Sequence, residues 1–120
     1  MKKVKILHNP RCRKSREALI WIKEERIDFD VIDYLNEGID AAFMKSLLKK
    51  LGRHPADILR KNEEEYKLHI KGKDLSDDEL IQLMIEFPKL IERPIVIMDD
   101  FAVIARPLDD LIEWYNKLTY

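Results

Sequence analysis

The run His8-Asn9-Pro10-Arg11-Cys12-Arg13-Lys14-Ser15-Arg16 carries the residue types best suited to chemistry. Cys12 is the only cysteine among the 120 residues. Four cations, Arg11, Arg13, Lys14 and Arg16, lie within four residues of it. The thiolate is the nucleophilic form of cysteine, and nearby positive charge favours it over the thiol. A lone cysteine is otherwise a small buried hydrophobe. Such a residue rarely keeps four cations for neighbours, so the pattern points to a reactive thiol, with Cys12 as the catalytic residue.

Other residues fit around that sulfur. His8, four positions upstream, would lower the thiol pKa if held close as an imidazolium or an N–H donor. Its alternative is a strand-end histidine making one backbone hydrogen bond. Ser15 stands where the second cysteine of a Cys-x-x-Cys pair would stand. It is expected to cap a helix or to donate to the thiolate. Arg60, Arg93 and Arg106 are candidates for binding an oxyanion, since guanidinium forks suit a multi-oxygen anion better than ammonium does. Ordinary surface salt bridging is the alternative for each. A tyrosine-phosphatase-type loop would need arginine where Ala18 stands, which disfavours that class. His54 and His69 have no partner cluster, and no zinc spacing is present, so no metal site is expected.

The elements that must position these groups follow from pattern. Val4 to Leu7 reads as a strand and Glu17 to Glu25 as the body of a helix starting near Ser15, so Cys12 falls where a strand hands over to a helix. The fixed φ of Pro10 suits a tight loop there. The unpaired N–H groups of a helix start favour negative charge, on the sulfur or on an oxyanion beside it. Phe29 and Val31 alternate with Asp28, Asp30 and Asp33, a second strand. Strand, helix, strand over about thirty residues is the pattern of a parallel pair.

From about Gly38 to Leu90 the chain reads as short helices. Met44, Leu47, Leu48 and Leu51 fall at helical spacing before Gly52. Pro55 can open a short helix ending near Arg60, and Glu63 to Leu68 forms a turn or two. Ser76-Asp77-Asp78-Glu79 is a capping box before Leu80, Leu83, Met84 and Phe87. Pro94 to Met98 is then a strand with Ala102 to Ala105 as its antiparallel partner, and Asp99, Asp100 and Phe101 in the connection. Pro107 opens a last helix with Leu108, Leu111, Ile112, Tyr115 and Leu118 on one face. The order β-α-β, helical insert, β-β-α is that of an α/β thioredoxin-like fold with a mixed four-stranded sheet. In that fold Pro94 is the candidate for a cis proline facing the active cysteine. The expectation is one domain over residues 1–120, with a helical insertion at about 38–90.

Composition bounds the class. With 46% hydrophobic residues the chain has material for a real core, and 38% charged residues solvate its surface. The net charge of -1 gives no global reason for nucleic-acid or membrane binding. Residues 1–26 nevertheless carry nine Lys/Arg against three Asp/Glu, a net of +6, and the remainder a net of -7. The basic end is the cysteine end, which supports a local anion site. One cysteine excludes an intramolecular disulfide. The absence of a signal-like or membrane-length apolar run makes a reducing cytoplasm the expected setting.

The nine-residue run around Cys12 resembles the active-site loop of the glutaredoxin-coupled arsenate reductases, the ArsC-like family. Leu59-Arg60-Lys61-Asn62 and Lys89-Leu90-Ile91-Glu92-Arg93-Pro94-Ile95-Val96 resemble that family's later segments, and Arg106-Pro107 its closing Arg-Pro. The resemblance implies that Cys12 attacks arsenic and that Arg60, Arg93 and Arg106 bind the arsenate oxygens. It implies that His8 and Ser15 tune the sulfur. It also implies that no cofactor is bound, and that glutathione with glutaredoxin resolves the adduct and releases arsenite. Arg13-Lys14 departs from the Gly-Thr of some members. The same superfamily contains Spx-type regulators that bind RNA polymerase, commonly with a Cys-x-x-Cys switch that Ser15 removes here. A monothiol glutathione-dependent reductase of another substrate is the third reading.

Overall fold

Four short strands and a pair of helices position the cysteine loop. The computed structural model describes residues 3–119. Strand β1 (Val4–Leu7) leads through the loop into helix α1 (Arg13–Glu24), and β2 (Phe29–Ile32) follows. After the helical stretch, β3 (Ile95–Met98) and β4 (Phe101–Ile104) precede the last helix (Leu108–Thr119). The sheet order is β2-β1-β3-β4. β1 runs parallel to β2, with Ile6 opposite Val31, and antiparallel to β3, with Ile6 opposite Val96. This is the mixed four-stranded sheet of a thioredoxin-like α/β fold.

The chain divides into two compact units, residues 1–33 with 93–120, and residues 34–92. In the first, β3 is buried at all four positions, as a central strand should be. One sheet face, built on Val4, Ile6, Val96 and Met98, packs against Ala18 and Ile22 of α1 and Leu111 and Tyr115 of the last helix. Each fully buried Ile or Leu there contributes about 1.5–3 kcal/mol of transfer free energy. Trp21 meets Tyr115 edge to face at 5.8 Å, which ties the two helices together.

The hairpin differs from the sequence expectation. Phe101 does not lie in the connection; it is the first residue of β4 and pairs with Met98. The turn is only Asp99-Asp100, with Asp99 at φ 54°. A two-residue hairpin needs positive φ, and aspartate tolerates it well enough that no glycine marks the turn.

The second unit is helical, with one isolated bridge between Leu59 and Ile91. Its helices are α2 (Tyr34–Glu37), α3 (Ala41–Leu51), α4 (Glu64–His69) and α5 (Asp77–Glu86), and the last helix of the chain is therefore α6. Short 3-10 turns occupy Pro55–Ile58 and Pro88–Leu90. The first helix starts at Tyr34, ahead of the change of pattern at Gly38. Asp40 caps α3 through the Phe43 N–H, and Gly52 ends it at φ 66°, where a left-handed residue is needed. Ser76 and Glu79 form the capping box of α5, in agreement with the sequence. Met44, Leu47, Ile58, Met84, Leu90 and Ile91 are fully buried. Among the described residues no helix is long and apolar enough to cross a membrane.

Candidate active site

The loop before α1 is built by its own backbone. The Asn9 carbonyl accepts from the Cys12 N–H at 3.0 Å, closing a turn over Pro10 and Arg11. The Asn9 side chain takes the Arg11 N–H, also at 3.0 Å, an Asx turn that asparagine makes readily. The Cys12 carbonyl then accepts from the Arg16 N–H as the first helical bond. Cys12 is therefore the N-cap of α1, with extended backbone angles. The helix begins at Arg13, so Ser15 does not cap it but lies in its first turn.

The sulfur is nearly buried, at 8% exposure. Burial alone pushes the thiol pKa up, because it disfavours the charged form. That effect is outweighed. The Ser15 N–H faces the sulfur, the Arg93 guanidinium hydrogen-bonds it and adds its charge, and the Lys14 N–H contributes further. Together they hold the thiol below its ordinary value. The Cys12 side chain makes no geometrically ideal capping hydrogen bond. The N–H dipoles of the first turn are instead aimed where an anion on sulfur would collect them.

His8 is bonded to Ser15. Its Nδ1 shares a 2.6 Å hydrogen bond with Ser15 Oγ, and both residues are buried. Burial, then Lys23 and Arg16, push its pKa down, which favours the neutral ring. Ser15 Oγ also accepts the Asn9 N–H at 3.0 Å. One hydroxyl thus ties the end of β1, the loop and the helix together. Arg16 adds a second tie through a 2.9 Å bond to the Pro10 carbonyl. No periodicity in the sequence marks this tie.

Of the three candidate arginines, Arg93 and Arg106 belong to the first unit and Arg60 to the second. Arg93 reaches Cys12, and its peptide bond to Pro94 is cis, as is Arg106–Pro107. Arg106 donates to the Arg93 carbonyl at 3.2 Å. Arg60 belongs to the helical unit, where its backbone N–H donates to the Leu90 carbonyl at 2.7 Å. Its guanidinium meets Glu63 at 3.3 Å and Glu92 at 4.0 Å. Arg13 and Lys14 both turn to Glu17, at 3.2 and 3.8 Å. Arg13 is 84% exposed and leans along the helix. Among the described residues no group of three or more His, Cys, Asp or Glu could hold a metal ion.

A basic loop, one activated thiol and a sheet of this order define a class. The sequence profile of the ArsC family matches residues 7–113, and the chain belongs to the ArsC family. It is 46% identical over 114 residues to Escherichia coli YfgD, covering 93% of this chain and 96% of that one. It is 37% identical over 113 residues to the arsenate reductase of Neisseria meningitidis, covering 92% and 97%. The solved structure of an arsenate reductase from Vibrio cholerae superposes with a TM-score of 0.88 at 40% identity, covering 93% of this chain and 97% of that one.

Proposed function

We propose that the protein is an arsenate reductase that works through the Cys12 thiolate. The observation that carries this reading is the sole cysteine, placed at the start of α1 with its thiol drawn below its ordinary value by the Ser15 N–H and by Arg93. An anionic sulfur and donors that favour anions suit attack on an oxyanion. Arg93 would bind the arsenate oxygens, with Arg106 held against its carbonyl, and loss of the Arg93 fork would weaken oxyanion binding by about 1.5–3 kcal/mol.

Cys12 sulfur bonds to arsenic(V), and an arsenate oxygen leaves as water after protonation. A glutathione thiolate then bonds to the Cys12 sulfur, the sulfur–arsenic bond breaks, and its electron pair stays on arsenic, which leaves as arsenite, arsenic(III). Cys12 is left as a mixed disulfide with glutathione. Glutaredoxin exchanges that disulfide and restores the thiolate. An external thiol is required because the chain has one cysteine. A free reactive thiol fits a reducing compartment such as the cytoplasm. The regulator reading is less well supported, since Ser15 stands in place of a second thiol and its hydroxyl is already engaged.

The test is arsenate-dependent NADPH oxidation coupled through glutathione, glutaredoxin and glutathione reductase. Turnover should need both donors, vanish in Cys12→Ser, and fall as pH drops through the depressed thiol pKa, because the thiolate is lost there. Full turnover with thioredoxin alone would refute the donor assignment. An absence of arsenate turnover with every donor would refute the substrate.

A further inference from the structure

We propose that Arg106 is a positioning residue that acts through Arg93, its guanidinium holding the backbone carbonyl of the arginine that lies beside the Cys12 sulfur. The inference rests on the reading of Cys12 as the nucleophile, and it does not depend on which oxyanion the enzyme reduces.

The geometry lies where the β3–β4 ladder runs out. The last strand pair is Ile95 opposite Ile104. One step further the Ala105 N–H donates to the Pro94 carbonyl at 2.9 Å. One step further again, the next carbonyl is that of Arg93, and a side chain reaches it: Arg106 donates to it at 3.2 Å. Proline has no N–H, so Pro94 and Pro107, which flank this end of the ladder, cannot donate to it. The Arg106 guanidinium therefore extends the ladder by one rung and fixes the carbonyl of Arg93.

Arg93 is the residue for which such fixing matters. Its side chain supplies both a hydrogen bond and a charge to the thiol. A donor must be held within a few tenths of an ångström of its working place to keep that effect, and a loosened backbone spreads it out. Arg106 is itself exposed, so its direct Coulomb effect on the sulfur is weakened by water and salt. The two routes, direct charge and positioning of Arg93, predict different measurements.

The experiment is a thermodynamic cycle on the resting protein with no oxyanion present. Thiolate absorbance of Cys12 is followed against pH in wild type, Arg106→Ala, Arg93→Ala and the double variant. Arg106→Ala should raise the thiol pKa when Arg93 is present and leave it unmoved when Arg93 is gone. The rise should persist at about 1 M salt, where exposed charges are screened within about 3 Å. Shifts that add in the double variant, to within about 0.3 unit, would overturn the proposal, since independent effects add. A rise that disappears in high salt would overturn it too, as would no rise in Arg106→Ala. If Arg106→Ala fails to fold, Arg106→Met is read by the same criteria. Because the readout is the thiol titration, a failure of arsenate turnover would leave this result standing on its own.

Discussion

The starts of α1 and α5 solve the same problem in opposite ways. Every helix leaves its first N–H groups without partners. At α5 the chain satisfies them itself. Ser76 Oγ accepts the Glu79 N–H at 3.2 Å, Glu79 returns the favour to the Ser76 N–H at 3.1 Å, and Asp77 and Asp78 complement the dipole. At α1 the cap is a cysteine without a capping hydrogen bond, and no acid occupies the first turn. Arg13 and Lys14 stand where α5 has aspartates. The residue three positions after each cap shows the same division. Glu79 reaches back to its own cap, whereas Ser15 reaches past the cap to Asn9 and His8. One helix start is closed for stability. The other is left open for an anion, and the local electrostatics carry its chemistry.

Ser15→Ala should give the larger break in this contrast. It strips the Asn9 N–H and His8 Nδ1 of their shared partner in a buried place. Leaving buried polar groups unsatisfied costs about 1–3 kcal/mol, readable as a lowered urea midpoint with unchanged slope. The thiol titration should broaden or rise with it, because the loop that sets Cys12 loosens. His8 supplies a pH signature. Its folded pKa is depressed, so the folded state resists protonation. Stability contributed by the neutral ring is fully present above about 6.5 and is lost as pH falls from there towards the folded pKa. His8→Gln should flatten that slope, and a slope unchanged in the variant would assign it to another group.

Ser76→Ala tests the closed end. Loss of this cap should cost about 1 kcal/mol of stability. The thiol titration should not change, since the effect is confined to a helix whose start carries no chemistry. A shift of the thiol pKa in this variant would break the division between a helix start built for stability and one built for reactivity.

The sequence revealed these two helix starts unequally. Ser-x-x-Glu before an apolar run is a local signal, and the capping box could be read directly from it. The βαβ pattern and the basic setting of Cys12 were also local, resting on alternation and on clustered charge. What stayed hidden was set by partners distant in sequence. His8 finds Ser15 seven residues away, across a turn, and so joins the tie that holds the loop. Arg106 finds the Arg93 carbonyl thirteen residues away, where two strands come to an end together. Phe101 reads as part of the connection in sequence because a two-residue turn built on aspartates has no glycine to announce it.

The smallest expected effect is the most specific to the open end. Arg13 is exposed and paired only along the helix with Glu17. A cation at a helix start opposes the dipole, and an exposed pair returns little, so Arg13→Gln should move stability by less than about 0.5 kcal/mol. If the cations at this end serve an incoming anion, the same variant should slow modification of Cys12 by an anionic disulfide reagent. The slowing should shrink as salt is raised, since long-range attraction between exposed charges is screened. Modification by a neutral reagent should proceed as in wild type, because the thiolate itself is set by Ser15, Arg93 and Lys14. Equal slowing with both reagents would mean that Arg13 shapes the loop rather than its field. An unchanged rate with the anionic reagent would mean that Glu17 already cancels the charge.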